Sequence, residues 1–226
     1  MKLHVYDHCP YCVRARMPFG LKSIPIELAF VTNDDEDTPL RMIGKKMLPI
    51  LEDADGFMGE SLDIVRKVDG WGGTRQFDGT PSPAILDWLD HWDPVINGLV
   101  IPRTPDPVYP EFHTASARAY FTRKKEATFG DFPGLLDRTE TFKAELARAF
   151  AELVPILPDP EEASIDDILL FPSLRSLTVM PDLEMPAAIA AYAERMAERA
   201  GVPLVGTLRA AADSELELRG ASRCLR

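Results

Sequence analysis

The chain has 226 residues, is 46% hydrophobic and 27% charged, and so has the composition of an ordinary soluble protein of one or two domains. Its net charge of −11 argues against non-specific nucleic-acid binding, which needs a basic surface. No apolar run approaches the roughly 20 residues needed to span a bilayer, so no membrane partner is expected.

Three cysteines, Cys9, Cys12 and Cys224, fit a reducing compartment, where a Cys-x-x-Cys is catalytic or metal-binding rather than structural. The N-terminal apolar run is interrupted by His4 and stopped by Asp7, unlike a signal peptide. A cytoplasmic protein is expected. Residues 1–75 hold 10 Lys and Arg against 12 Asp and Glu; the remainder holds 15 against 24. The acidic excess lies in the part without the cysteine pair.

In chain order, residues 2–6 read as a strand. Pro10 stands well as the first residue of a helix running to Leu21, which leaves Cys9 at its N-cap. Pro18 inside that helix predicts a kink or tightening near Arg14. A second strand follows over 26–31, then a polar loop over 33–37. A short helix opens on Thr38-Pro39 and is closed by Gly44.

Residues 45–52 read as a strand with Pro49 inside it, Asp55-Gly56 as a turn, and 57–58 as a short strand. Glu60-Ser61 opens a helix to Val68. Gly70 to Pro83 is rich in Gly, Pro, Thr and Asp and reads as a linker. Beyond it only helical patterns are found, at about 82–101, 114–129, 133–154, 164–179 and 186–200. The chain thus divides into an α/β unit over 1–72, a linker over 73–82 and an all-helical unit over 83–226. Ser164 with Asp167 has the form of a capping box, and Trp88 and Trp92 are expected in packing rather than in a site.

Thiol reactivity belongs to the thiolate, and both a helix N-terminus and a Cys-x-x-Cys lower a thiol pKa. Cys9 has both advantages and is expected as a nucleophile. Cys12, one turn inside the helix, is expected as the thiol that resolves a mixed disulfide. A zinc site is a poor alternative, because Cys224 and the scattered histidines supply no matching ligand pair. Two inert core cysteines fit poorly with the polar turn residues around them. Arg14 and Arg16 are candidates to favour the thiolate or to form a solvated face. Tyr6 is read as an aromatic at the site edge, the run 34–37 as a solvated loop, and Cys224 as a tail thiol. Local sequence favours a trans Pro49 opening an edge strand; a cis bond would turn the Leu48 backbone outward.

Cys9-Pro10-Tyr11-Cys12 after a first strand resembles the glutaredoxin active site, and the β-α-β-α-β-β-α order resembles the thioredoxin-like domain. With the helical second unit, the chain resembles the glutathione-transferase-shaped glutaredoxin 2 family over nearly its full length. Asp7-His8, Ala15-Arg16-Met17, Leu21-Lys22, Asn33-Asp34-Asp35, Phe171-Pro172 and Leu174-Arg175 carry the likeness further. Pro18 and the tail from Gly206 to Arg226 depart from it.

The resemblance implies glutathione as ligand and reductant, no metal, and thiol-disulfide exchange on disulfide-bonded or glutathionylated proteins by a monomer. It implies that Leu48, before a cis Pro49, pairs with the cysteinyl part of glutathione, and that Glu60 and Ser61 hold the γ-glutamyl end. Tyr11 either covers the glutathione sulfur or is a solvated helix residue. The rival readings are a glutathione transferase or dehydroascorbate reductase of the same architecture, and a non-enzymatic partner-binding scaffold. A further possibility is an iron-sulfur cluster shared by two copies through Cys9 and glutathione.

Overall fold

A computed structural model describes residues 1–212 and 214; Cys224 and the rest of the tail lie outside the described residues. The first part is β1 (Lys2–Val5), α1 (Pro10–Leu21), β2 (Glu27–Phe30), α2 (Asp37–Ile43), β3 (Ile50–Asp53), β4 (Gly56–Met58) and α3 (Ser61–Asp69). The sheet order is β2-β1-β3-β4. β1 runs parallel to β2, with Leu3 opposite Leu28, and antiparallel to β3, with Leu3 opposite Leu51. A parallel neighbour cannot be reached by a hairpin, so the chain must cross over between β1 and β2, and α1 is that crossover.

α1 begins as the sequence predicts, with Pro10 at its first position and Cys9 as an extended N-cap. It continues through Pro18 to Leu21. The helix is buried on opposite sides. Cys12, Ala15 and Phe19 join Leu3, Val5, Ile50, Leu51 and Ile64 in a core against the sheet. Val13 and Met17 join Trp88, Leu170 and Phe171 in the larger core of the helical part. Where α1 meets the later helices, Gly20 lies so close to Ala200 that an added Cβ would sit 2.0 Å from its carbonyl oxygen.

The helical part comprises α4 (Pro83–Val100), α5 (Ala115–Phe129), α6 (Phe132–Asp137), α7 (Thr139–Leu153), α8 (Ile165–Leu177) and α9 (Ala187–Ala200). Residues 205–212 are also helical, although the tail sequence offers no clear amphipathic signal for it. Trp88 and Trp92 are buried, and their indole N–H groups donate to the Ala149 carbonyl at 2.8 Å and the Glu152 carboxylate at 3.0 Å. The Ser164–Asp167 capping box forms as expected, with the Tyr192 hydroxyl donating to Asp167 at 2.8 Å.

Several expected elements shift. The helix predicted over 133–154 is two helices that break at Arg138, whose φ of −86° and ψ of 7° are not helical. The Thr139 hydroxyl donates to the Leu136 carbonyl at 2.5 Å, and this local bond replaces a helical turn. α2 starts at Asp37 rather than after Thr38, because the Asp35 carboxylate accepts the Thr38 amide at 2.9 Å. The strand expected over 45–52 begins only at Ile50. Leu48-Pro49 is cis, against the trans bond favoured by local sequence.

Residues 70–82 are neither helix nor strand, yet they are anchored. The Asp69 carboxylate accepts the amides of Gln76 at 2.9 Å and Phe77 at 3.0 Å and the Lys22 ammonium at 2.9 Å. The Phe77 ring is buried in the helical core.

Candidate active site

Two short segments, the turn into α1 and the loop before β3, bring the first set of candidates together. Cys9 is half-buried and Cys12 is fully buried. Both lie in the apolar cluster that contains Leu48. The ladder with β1 starts only at Ile50, and among the described residues the Leu48 backbone makes no hydrogen bond.

The two thiols differ sharply. The Cys9 pKa is lowered to about 6, chiefly by a hydrogen bond from the Cys12 thiol. Burial opposes that shift, while His8 and the amides of Cys12 and Tyr11 reinforce it. Cys12 moves the other way, its pKa raised by burial and by the neighbouring Cys9. Its sulfur also accepts the Tyr6 amide at 3.4 Å. The arrangement provides one thiolate near neutral pH with a protonated thiol beside it.

The tyrosines and arginines separate in the same way. Tyr11 is 58% exposed, and the Arg14 guanidinium stands over its ring at 5.2 Å. Tyr6 is tied down: its hydroxyl accepts from the Lys46 ammonium at 2.8 Å. Burial raises its pKa, as do the charges of the two cysteines. A hydroxyl so engaged is poorly suited to activating an external thiol. Arg16 is not on a solvated face; it is buried in an ion pair with Asp7. The acidic loop is only partly solvated, since Glu36 accepts from Tyr120 on α5.

Glu60 and Ser61 stand at the start of α3. Glu60 is exposed and has a φ of 62° and a ψ of 107°, an uncommon backbone setting for a residue with a side chain. Among the described residues it makes no ion pair. Ser61, the first residue of the helix, is buried.

Sequence reading missed the two residues by which the helical part holds the turn. Arg175 on α8 donates Nη1 to the Asp7 carbonyl at 2.7 Å, Nη2 to the Asp7 carboxylate at 3.1 Å, and Nε to the Pro203 carbonyl at 2.8 Å. Glu111, in a 3-10 turn over Pro110–Phe112, accepts the His8 amide at 2.9 Å and contacts His8 Nδ1 at 2.5 Å with the same oxygen. Both are buried. Their partners stand 168 and 103 positions away in sequence, so no local spacing marks them. Burial disfavours ionisation of Asp7, but Arg175 and Arg16 outweigh it and hold its pKa below the usual carboxylate value. The same contest at Glu111 is decided by its bonds to His8, again downward.

Among the described residues, no group of three or more His, Cys, Asp and Glu side chains is placed to hold a metal ion. Nor is any helix there long and apolar enough to cross a membrane.

Residues 3–71 match the family model of the glutathione S-transferase N-terminal domain, and residues 84–208 that of the glutaredoxin 2 C-terminal domain. The chain is 42% identical over 213 residues to glutaredoxin 2 of Escherichia coli strain K12, covering 92% of this chain and 99% of that one. The structure is similar to the crystal structure of glutaredoxin 2 from Salmonella typhimurium in complex with glutathione. That match has a TM-score of 0.87 and 42% identity, over 92% of this chain and 97% of that one. Gtt2 from Saccharomyces cerevisiae shares the fold, with a TM-score of 0.53 at 17% identity over 92% of this chain and all of the other. An α/β thioredoxin-like part joined to a helical part, a Cys-Pro-Tyr-Cys turn at their junction and these matches lead to one conclusion: the chain belongs to the glutaredoxin 2 family.

Proposed function

We propose that this chain is a glutathione-dependent thiol-disulfide oxidoreductase that reduces protein disulfides and glutathione mixed disulfides. The observation that carries the reading is the half-buried Cys9 thiol with its pKa lowered to about 6. The Cys9 thiolate attacks a sulfur of the mixed disulfide; a Cys9–glutathione disulfide forms and the target protein leaves as a thiolate, which takes up a proton. A second glutathione thiolate then attacks the glutathione sulfur, giving oxidised glutathione and returning the Cys9 thiolate.

Cys12 serves as the resolving thiol when the bond at Cys9 is to a protein. Part of what raises its pKa is the neighbouring Cys9, and that contribution falls away once Cys9 is in a disulfide. Cys12 therefore becomes the better nucleophile at the moment it is needed.

Glutathione is read as lying along the turn into α1, with the Leu48 backbone before Pro49 pairing with its cysteinyl part and Tyr11 covering its sulfur. Glu60 suits the γ-glutamyl ammonium, and Ser61 with the first amides of α3 suits the carboxylate. Salmonella glutaredoxin 2 binds glutathione in its crystal, which supports this ligand. The reading includes a thioredoxin-like domain over 1–72, a linker over 73–82, a helical domain over 83–226, and a cytoplasmic monomer.

The test is a glutathione-coupled assay on a small glutathione mixed disulfide, with wild type beside Cys9→Ser. Turnover in wild type and none in Cys9→Ser is expected. Turnover surviving in Cys9→Ser would overturn the reading.

A further inference from the structure

The mechanism uses Cys9 and Cys12 but leaves unexplained a fully buried carboxylate beside them. Glu111 is 0% exposed, comes from the helical part, and its Oε2 has no hydrogen-bond partner among the described residues. An uncompensated buried carboxylate oxygen is costly, so its placement calls for an account beyond packing.

Its other oxygen meets the residue directly before Cys9. Glu111 Oε1 accepts the His8 amide at 2.9 Å and faces His8 Nδ1 at 2.5 Å. A carboxylate can only accept, so Nδ1 carries a hydrogen and donates it. The remaining faces of the His8 ring are enclosed by Tyr6, Tyr109, Phe112 and Phe121, at centroid separations of 5.6, 6.0, 4.9 and 5.3 Å. The ring is thereby fixed in both position and hydrogen placement, and positive charge on His8 favours the thiolate of Cys9.

We propose that Glu111 is a positioning residue of the thiol site, by which the helical domain holds the His8 ring where it supports the Cys9 thiolate. This rests on the reading of Cys9 as the nucleophile. The other titratable and charged groups facing this site are Cys12, Tyr11 and Arg14 on α1, Tyr6 after β1 with Lys46 on its hydroxyl, and Tyr109 beside His8. The Asp7, Arg16 and Arg175 cluster lies on the preceding residue.

The sign of one substitution separates this role from simple proximity. Removing a nearby negative charge directly would favour a thiolate and lower its pKa. Acting through His8, the same removal must raise it. The measurement is the pH dependence of Cys9 alkylation in the reduced full chain, read by mass spectrometry so that Cys9 is followed alone.

Wild type is expected to show a midpoint at about 6. Glu111→Gln is expected to raise it so that alkylation at a pH below the midpoint slows about tenfold, the effect of one pKa unit. His8→Asn should raise it similarly, and the double variant should go no further. Should Glu111→Gln not fold, Glu111→Asp, one methylene too short to keep the Nδ1 contact, is read in the same way. Tyr120→Phe, which removes a different contact between the domains, should leave the midpoint in place. A midpoint unchanged or lowered by loss of Glu111, or shifted equally by Tyr120→Phe, overturns the proposal. If wild-type Cys9 is not the thiol alkylated at low pH, the nucleophile assignment fails instead.

Discussion

Arg175 and Asp7, 168 residues apart, meet in the buried seam between the two parts, where one guanidinium holds both the backbone carbonyl and the carboxylate of the residue two before Cys9. Arg16 takes the second oxygen of that carboxylate, so two cations share one anion. Removing Arg175 leaves Asp7 with half its partners and three polar groups without a donor. Arg175→Met is expected to destabilise the protein by about 3–5 kcal/mol, the range for breaking a buried ion pair. Urea unfolding with an unchanged m value would measure it; a loss under about 1 kcal/mol would mean that the pair is replaceable by packing.

The inequality of the two thiols gives a prediction with an internal control. Cys9→Ser is expected to abolish reduction of glutathione mixed disulfides, while Cys12→Ser keeps much of it. Cys12→Ala should be worse than Cys12→Ser, because the hydrogen bond from position 12 is the largest contribution lowering the Cys9 pKa, and a hydroxyl can still donate. Comparing Cys9 alkylation midpoints in the two position-12 variants checks this; equal midpoints would remove the hydrogen bond from the account.

With a pKa of about 6, Cys9 should be largely thiolate at neutral pH. Its attack on a mixed disulfide in a single turnover is expected to level off above neutrality. Below the midpoint the rate should fall about tenfold per pH unit, following the thiolate fraction. A rate still climbing at the ordinary cysteine pKa would show an unactivated thiol.

Asp7 and Glu111 make stability depend on acid. Both have folded pKa values below their unfolded ones, 3.8 and 4.5. Their stabilising contribution is full above about pH 4.5 and is lost as pH falls through the lowered folded values. Unfolding midpoints of wild type and Asp7→Asn should therefore differ at neutral pH and converge in acid. Parallel curves would place the acid sensitivity elsewhere.

Gly20 tests the fit of α1 against α9. A methyl there meets the Ala200 carbonyl at 2.0 Å, and backbone has no rotamer by which to yield. Gly20→Ala is expected to cost about 1–3 kcal/mol or more through overpacking, despite its better helix propensity. A thermal melt above that of wild type would show that the helices separate freely.

The order of the first part, the Cys9 N-cap and the Ser164 capping box were legible because each depends on neighbours in sequence. The break between α6 and α7 was not, since Thr139 bonding back to Leu136 looks like any helical threonine beforehand. Pro49 illustrates the limit: nothing local distinguishes cis from trans, and only the resemblance pointed to cis. Neither reading open for Arg16, support of the thiolate or a solvated face, includes its buried pairing with Asp7, because Asp7 reads locally as a turn residue. Arg175 enters only as part of the family likeness, with no partner indicated, and Glu111 gives no signal at all. Their role depends on a fold that brings distant segments together, and only buried charge in the structure exposes it.

The burial of α1 on opposite sides bears on how such a protein can be divided or recombined. Val13 and Met17 would face water if the first part were expressed alone, so the Cys-Pro-Tyr-Cys turn is not a detachable cartridge. Grafting it with its own sheet onto the helical half of a distant transferase would keep every residue of the motif. It would still lose Arg175 and Glu111, and with them the setting of the turn. In this architecture, inheritance of the chemistry requires inheritance of both halves.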